Sequence, residues 1–304
     1  MAAFSDYPSP YTSVKQSAIL TLTAETGSVI EVEINGYYKQ LSSLTRTVNI
    51  APYFKEDFDI QPLDKAPSSY TIVDAKDYGR VVYASASVDG EESTPVALSF
   101  ADNTLVSECF LTGIKQREVV LGGTDELSIY ATKSLRVEFD NGSVSGSTIA
   151  AGLYSAQFKP SYFANVGEVL HVSLYDGDTL LDRIKYTVVG YADVQLAWVN
   201  SYGVIDTAIF SEVTSQTEVT KEALYLGSGY INVDVVAEDT TTVTTAALPR
   251  ATIKSLSYIL RSSGVWRKLS GAWSPIDITS DSATMYDVDN LSVITVEFRD
   301  KVRT

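Results

Sequence analysis

Asn35-Gly36, Asp89-Gly90, Asn141-Gly142 and Asp176-Gly177 each stand between apolar runs. An Asn or Asp followed by Gly supplies the positive-φ positions of a tight two-residue hairpin. Four such signals spread along one chain predict antiparallel sheets from end to end. The runs between them agree. Ala18–Leu22 and Val29–Ile34 alternate with period two around Glu25-Thr26-Gly27 and read as a first hairpin. Ile60–Ser69 carries Pro62 and Pro67 and reads as a loop. Strands resume at Tyr70–Val73 and Arg80–Val88, then at Ser107–Gly113, Glu118–Leu121, Leu127–Ala131, Leu135–Phe139, Val169–Tyr175 and Leu180–Val189. In the last of these, Ile184, Tyr186 and Val188 fall on one face and Arg183, Lys185 and Thr187 on the other.

From Tyr191 the texture changes. Val194–Val199 reads as a buried strand running into a turn at Gly203, and Ser211–Thr220, rich in Ser and Thr, as exposed strand. Ile253, Leu256 and Leu260 recur at helical spacing, with Thr252 placed to cap the start and Gly264 just past the end. A hairpin, Val265–Trp273, and a last strand, Leu291–Phe298, follow. At 304 residues the chain is about twice the usual domain length. The expected fold is mostly β: two immunoglobulin-like antiparallel β-sandwich modules, at 1–104 and 105–190, then a β-rich domain, 191–304, with a helix at 252–263.

Charge narrows the partners. Thirty-eight acids against 23 bases give a net charge of −15, and no basic stripe is available to neutralise phosphates. Arg267–Lys268 and Arg299–Lys301–Arg303 are too sparse to make one. Direct nucleic-acid binding is not expected, and repulsion also disfavours an acidic lipid surface. No segment approaches the roughly 20 apolar residues of a membrane helix. One cysteine, Cys109, precludes an intramolecular disulfide, and its neighbours Phe110 and Leu111 mark it as a buried strand residue. With no basic, apolar leader at Met1–Pro10, the expectation is synthesis and folding in a reducing cytoplasm.

Little catalytic chemistry is on offer. A Ser-His-Asp or Cys-His centre would have to use the lone imidazole, His171, which sits in an alternating strand without a Gly-x-Ser-x-Gly elbow. One His and one Cys are too few for a zinc site, and no phosphate-cradling loop or dinucleotide fingerprint is present. No cofactor or metal is expected, and the chain reads as a non-enzyme. Carboxylate-only glycoside hydrolysis stays open as an alternative, because it needs two acids about 5–10 Å apart. Asp176-Gly177-Asp178 and Asp287–Asn290 space oxygen ligands closely enough for calcium, but also read as Asx turns. The 19 tyrosines suit strands that are half buried and half wet. Trp198, Tyr202, Trp266 and Trp273 are the candidate interface residues. Trp266 and Trp273 flank one turn, where they either stack on a sugar, anchor a protein contact or pack on the preceding helix.

Two resemblances add to this. Tyr83–Val96, ending in Gly90-Glu-Glu-Ser93-Thr-Pro95, resembles the closing hairpin of a fibronectin type III module. Leu196-Ala-Trp198-Val-Asn200-Ser-Tyr202-Gly203, continuing to Phe210, resembles a signature of structural proteins of tailed phages and prophages of Bacteroides-like bacteria. Ser255–Trp266 with Gly271–Ile276 is similar to their helix-then-hairpin ending, and Arg46–Lys55 to their early segment. The resemblance implies a virion component of the tail or neck (collar), made in the bacterial host cytoplasm. It would act through oligomeric contacts with itself, as a ring or trimer, and with other virion structural proteins. The alternative reading is a carbohydrate-binding or adhesive β-sandwich protein, with a glycan on Trp266 and Trp273.

Overall fold

The computed structural model describes residues 11–15, 19–21, 30–34, 37–41, 47–49, 58–63, 67–84, 87–88, 91–92, 95–103, 105, 107–140, 144–225, 230–280, 284–288 and 291–300. The chain is mostly β, with several sheets, a closed barrel and one main helical segment.

The centre is a two-sheet sandwich. One sheet runs Cys109–Phe110, Asp125–Ala131, Gly152–Phe158, Tyr70–Asp74; the other runs Gln116–Val120, Thr179–Val189, Val169–Asp176, Leu135–Asp140, Val144–Ile149. Period-two alternation explains the packing. Leu135, Val137 and Phe139 are buried while Arg136, Glu138 and Asp140 are only partly covered, and Ile184, Tyr186 and Val188 turn inward as their pattern predicts. Phe139 stacks on Phe163 at 5.0 Å and Phe158 meets Tyr186 edge-on at 5.0 Å, so the core is aromatic at its middle. The tight-turn signals stand between paired strands. Ile34 pairs with Tyr37, Val88 with Glu91, Asp140 with Val144 and Asp176 with Thr179. Only Gly177, with φ 56°, is itself among the described turn residues.

Four features depart from the sequence reading. Ile19–Thr21 pairs with Thr47–Asn49, whereas Ile30–Ile34 takes Tyr37–Leu41, so the first two runs are not each other's hairpin partners. Glu25-Thr26-Gly27 lies outside the described residues. The two-residue Asn35-Gly36 connection closes far more cheaply than the longer 22–29 segment. Val144–Ile149 and Gly152–Phe158 are strands that Ser, Gly and Ala had disguised. Among the described strands two pairings are parallel, Tyr11–Ser13 with Val96–Ser99 and Gln116–Val120 with Thr179–Val189. Each joins strands far apart in sequence, the connection a parallel pair requires. Tyr70–Asp74 joins the sheet of Gly152–Phe158, so pairing crosses residue 104.

Before the sandwich lie three small sheets. Val96–Ser99 sits between Tyr11–Ser13 and Val81–Ala84; Ile30–Ile34 sits between Tyr37–Leu41 and Ser87–Val88, with Glu91–Glu92 at the rim; Ile19–Thr21 pairs with Thr47–Asn49. Val81–Ala84 and Ser87–Val88, read as one strand from sequence, thus belong to different sheets.

After the sandwich the chain forms a barrel. Val194–Val199, Ile205–Tyr225, Tyr230–Thr244, Leu291–Asp300, Ala272–Ile278 and Val265–Leu269 pair in that order, and the last returns to the first. All six pairings are antiparallel. Closure removes the open edges along this part of the strands. Leu196, Trp198, Phe210, Val243, Val296 and Phe298 fill the interior, and Ile253, Leu256 and Ile259 pack into the same core from the helical segment. That segment is an α-helix, Arg250–Leu256, tightening to a 3-10 turn, Ser257–Arg261. Its cap is Pro249 rather than Thr252, which is buried inside the first turn. Proline serves here because its fixed φ suits a helix start. The hairpin turns at Ser270 and Gly271, with φ 51° and 88°, and pairs Lys268 with Trp273.

Gly203 shows how closely the parts approach. Its φ is +70°, and a β-carbon there would lie 2.3 Å from the Phe100 carbonyl carbon. Gly203→Ala is therefore expected to lower stability by about 2–4 kcal/mol in denaturant unfolding, through both backbone strain and lost docking. An unchanged midpoint would show that this approach is not a fixed part of the fold.

Candidate assembly surface

Consecutive residues of a strand face opposite sides of a sheet, and Asp125 and Glu126, at the start of a strand buried on both faces, use this. Asp125 meets Arg117 of the neighbouring sheet, Nη1 to Oδ2 at 3.5 Å, and accepts the hydroxyl of Thr207 from the barrel. Arg117 also donates to Asp206 of the barrel, to Thr112 Oγ1 at 2.6 Å and to the Ile114 carbonyl. On the other face Glu126 receives Arg80 Nη2 at 2.9 and 3.2 Å. Arg80 also donates to the carbonyls of Asp59, Gln61 and Tyr78, which ties in the segment before the sandwich. All five charged side chains are at most 5% exposed. Burial opposes the charge on Arg117, but the carboxylates of Asp206 and Asp125 outweigh it and keep the guanidinium protonated. Burial pushes the Glu126 carboxyl up, against the pull of Arg80.

Sequence reading passed over this network. The signal was there: Arg117 shares its strand face with Val119, and Asp125 with Leu127, so both charges stand where an apolar residue is the rule. Asp125 and Asp206 are both buried, and Arg117 meets each of them with a different nitrogen.

The segment Leu196–Phe210 is the barrel's side of the same junction. Trp198 is 0% exposed in the barrel core, so it cannot present a contact surface as the sequence reading had expected. Asn200 Nδ2 donates to the Leu111 carbonyl at 2.8 Å and its Oδ1 accepts the Tyr202 amide at 2.8 Å. Tyr202 is half-buried against Tyr11, Leu111 and Tyr130. Ser201 accepts the Asp102 amide at 2.7 Å. Asp102 in turn accepts Tyr258 at 2.6 Å and Lys15 at 2.9 Å, joining the first sheets to the barrel's helical segment. Its partial burial alone would raise the carboxyl, yet the hydrogen bonds from Tyr258 and Lys15 hold it below the usual range.

Trp266 and Trp273 lie on one hairpin face, as their spacing predicted, and both pack on Ala197, Val199 and Ile205 outside the barrel rather than on the helix. Trp266 also lines a groove of about 180 Å³ with Phe58, Ile60 and Phe100, and Lys268 Nζ stands 5.0 Å from the Trp273 ring. His171 is half-buried in its strand, opposite Asp140 and Lys185 in register. Cys109 is half-buried rather than buried, and burial pushes its thiol up. Asp176 is ion-paired to Lys133 at 2.6 Å. Asp289 and Asn290 lie outside the described residues. Among the described residues no three His, Cys, Asp or Glu cluster as metal ligands.

One element stands apart. Ile205–Tyr225 pairs with Val194–Val199 only as far as Phe210, and Tyr230–Thr244 pairs with Leu291–Asp300 only from Thr240. Between Glu212 and Asp239 the two strands pair with each other alone among the described strands, down to Tyr225 opposite Tyr230. Gln216 stands opposite Thr240, which still pairs with Leu291–Asp300, so the free-standing part runs from Thr217 to Tyr225 and, at about 3.3 Å per residue, projects roughly 30 Å. Thr214, Ser215, Gln216 and Thr217 are all exposed, so both faces are bare over those residues, and Val219 and Tyr225 are 48% and 59% exposed. A lone two-stranded ribbon is marginal in water, and its two open edges are templates for pairing. The exposed strand read from Ser211–Thr220 is thus part of an arm.

Two outcomes test the junction. Arg117→Met leaves Asp125 and Asp206 buried without their cation and should cost about 3–5 kcal/mol in urea unfolding; a loss under about 1 kcal/mol would mean the network is not needed for stability. Asp102 has a lowered carboxyl, so its contribution is present above the unfolded value near 3.9 and is lost as pH falls through the lower folded value. The stability gap between the native chain and Asp102→Asn should therefore be open at pH 7 and narrow below about pH 4. Equal gaps at both pH values would exclude the carboxylate as the cause.

The chain matches no protein-family model, and no curated protein matches it.

Proposed function

We propose that this chain is a non-enzymatic structural component of a virion, in the tail or neck of a tailed phage, which works by assembling with copies of itself and with other virion proteins. The observation that carries this reading is the two-stranded ribbon that Thr217–Tyr225 and Tyr230–Asp239 form beyond the barrel. Ordering about 20 residues into a lone strand pair costs conformational entropy that the pairing barely offsets. A partner that covers its faces or extends its edges supplies the missing burial. The body is built for the opposite property. Buried ion pairs and shared hydrogen bonds fix the sandwich, the barrel and the preceding sheets to one another. A rigid body with a projecting arm suits a subunit that must hold a set geometry in a ring. The most buried carboxylates, Asp125, Glu126 and Asp206, are engaged by arginines rather than set across a cleft, which favours a structural role over hydrolysis. The resemblance of Leu196–Phe210 to phage structural proteins points the same way.

The test is the assembly state of the full chain, read by light scattering and by electron microscopy of the purified protein. Rings or discrete oligomers are expected. An Asn-Gly turn in place of residues 217–239 keeps the barrel pairings from Thr240 onward and should give a folded monomer with an unchanged circular dichroism spectrum. A native chain that stays monomeric at the highest attainable concentration, alone and with the other proteins of its virion, would overturn the reading.

A further inference from the structure

The two halves of the barrel differ in charge. The ribbon sequence, Ser211–Asp239, holds Glu212, Glu218, Glu222, Asp234, Glu238 and Asp239 against one base, Lys221. The stretch that follows, Thr240–Ile276, holds Arg250, Lys254, Arg261, Arg267 and Lys268 and not one acid. In a chain of net charge −15, an acid-free run of this length is an exception that needs a reason. Arg250 and Lys254 stand about one turn apart on the α-helix, Arg261 closes the 3-10 turn that follows with its guanidinium 4.4 Å from the Tyr258 ring, and all three are exposed. The opposite side of that segment is occupied by Ile253, Leu256 and Ile259 in the barrel core. The helical segment therefore shows solvent a cationic stripe.

The ribbon, for its part, is set against itself. In the register, Glu218 stands opposite Glu238 and Glu222 opposite Asp234. Like charges directly across a strand pair are destabilising. An isolated arm gains nothing from this arrangement, whereas an arm laid on cations does. Most surfaces of a second copy of so acidic a chain would repel it. The stripe would not.

We infer that the acidic ribbon of one copy lies across the Arg250–Lys254–Arg261 stripe of the next. The inference rests on the assembly reading above and names the surface that receives the arm. Ribbon and stripe are different patches, so the contact is heterologous: it closes into a ring where the rotation between copies divides a full turn, and otherwise grows a filament. Arg250, Lys254 and Arg261 and, on the ribbon, Glu222 are exposed, so the contact is electrostatic and screened by salt.

The experiment uses the full chain, with sedimentation as readout. Raising salt from about 0.05 to 0.5 M should weaken association about ten-fold or more. Reversing the stripe (Arg250→Glu, Lys254→Glu, Arg261→Glu) should weaken it by a similar factor, as should reversing the ribbon (Glu218→Lys, Glu222→Lys). The five changes combined in one chain should restore association, and so should mixing the two reversed chains in pairs. Circular dichroism checks that each variant is folded, and the salt series on the native chain needs no variant at all. If the native chain assembles but neither salt nor charge reversal alters it, the stripe is not the receiver, and the assembly reading stands without this inference. If reversal of the ribbon alone acts, the arm docks on another surface and the inference is overturned. A native chain that never assembles removes the assembly reading itself.

Discussion

Everything in this molecule turns on the buried dipeptide Asp125-Glu126. Two adjacent carboxylates taken out of water would cost several kcal/mol each if left unpaired. The pleat of the strand resolves this by sending them to opposite faces, where Arg117 and Arg80 meet them. Each arginine then uses its remaining donors on a different part of the chain: Arg117 on Asp206 of the barrel, Arg80 on the carbonyls of Asp59, Gln61 and Tyr78. A guanidinium can do this because its planar fork carries five donors. One strand end thus becomes the point through which three regions are held in a single arrangement. Apolar packing alone would tolerate small rotations between modules; a buried charge tolerates none without losing a partner.

That rigidity gives the ribbon its meaning. An arm about 30 Å long on a loosely jointed body would sweep many directions, and each contact would bear the entropy of fixing it. On a body locked by Arg117, Arg80 and Asp102, the base of the arm is set by the barrel walls at Phe210 and Thr240. The same chain therefore holds its most stable and its least self-sufficient elements side by side, and the division follows charge as well as packing. Paired charges lie buried in the junction, while the sequence of the arm, Ser211–Asp239, holds six acids against one base.

Much of the fold was legible before any coordinates. The Asn-Gly and Asp-Gly signals lie between strands that do pair, Ile184–Tyr186–Val188 turned inward, and Ser211–Thr220 proved to be exposed strand. The Trp266 and Trp273 rings lie on one hairpin face as their spacing required. The misses have physical causes. Val144–Ile149 and Gly152–Phe158 are built from Ser, Gly and Ala, which carry little strand preference of their own. Trp198, named as a candidate interface residue, stands in the strand that the sequence itself reads as buried, and the barrel interior takes it.

By itself the sequence determined the β class and the division of Leu180–Val189 into an apolar face of Ile184, Tyr186 and Val188 and a polar one, because a strand's period of two is a local property of the backbone. Partner choice was left to the tertiary structure. Only there does Ile19–Thr21 take Thr47–Asn49, does the barrel close on itself, and does Arg117 meet Asp206 across 89 residues. Alternation labels a face but names no neighbour. The neighbour is fixed by burial summed over the whole chain, and a buried charge can be read as a junction only when the opposite charge is seen beside it.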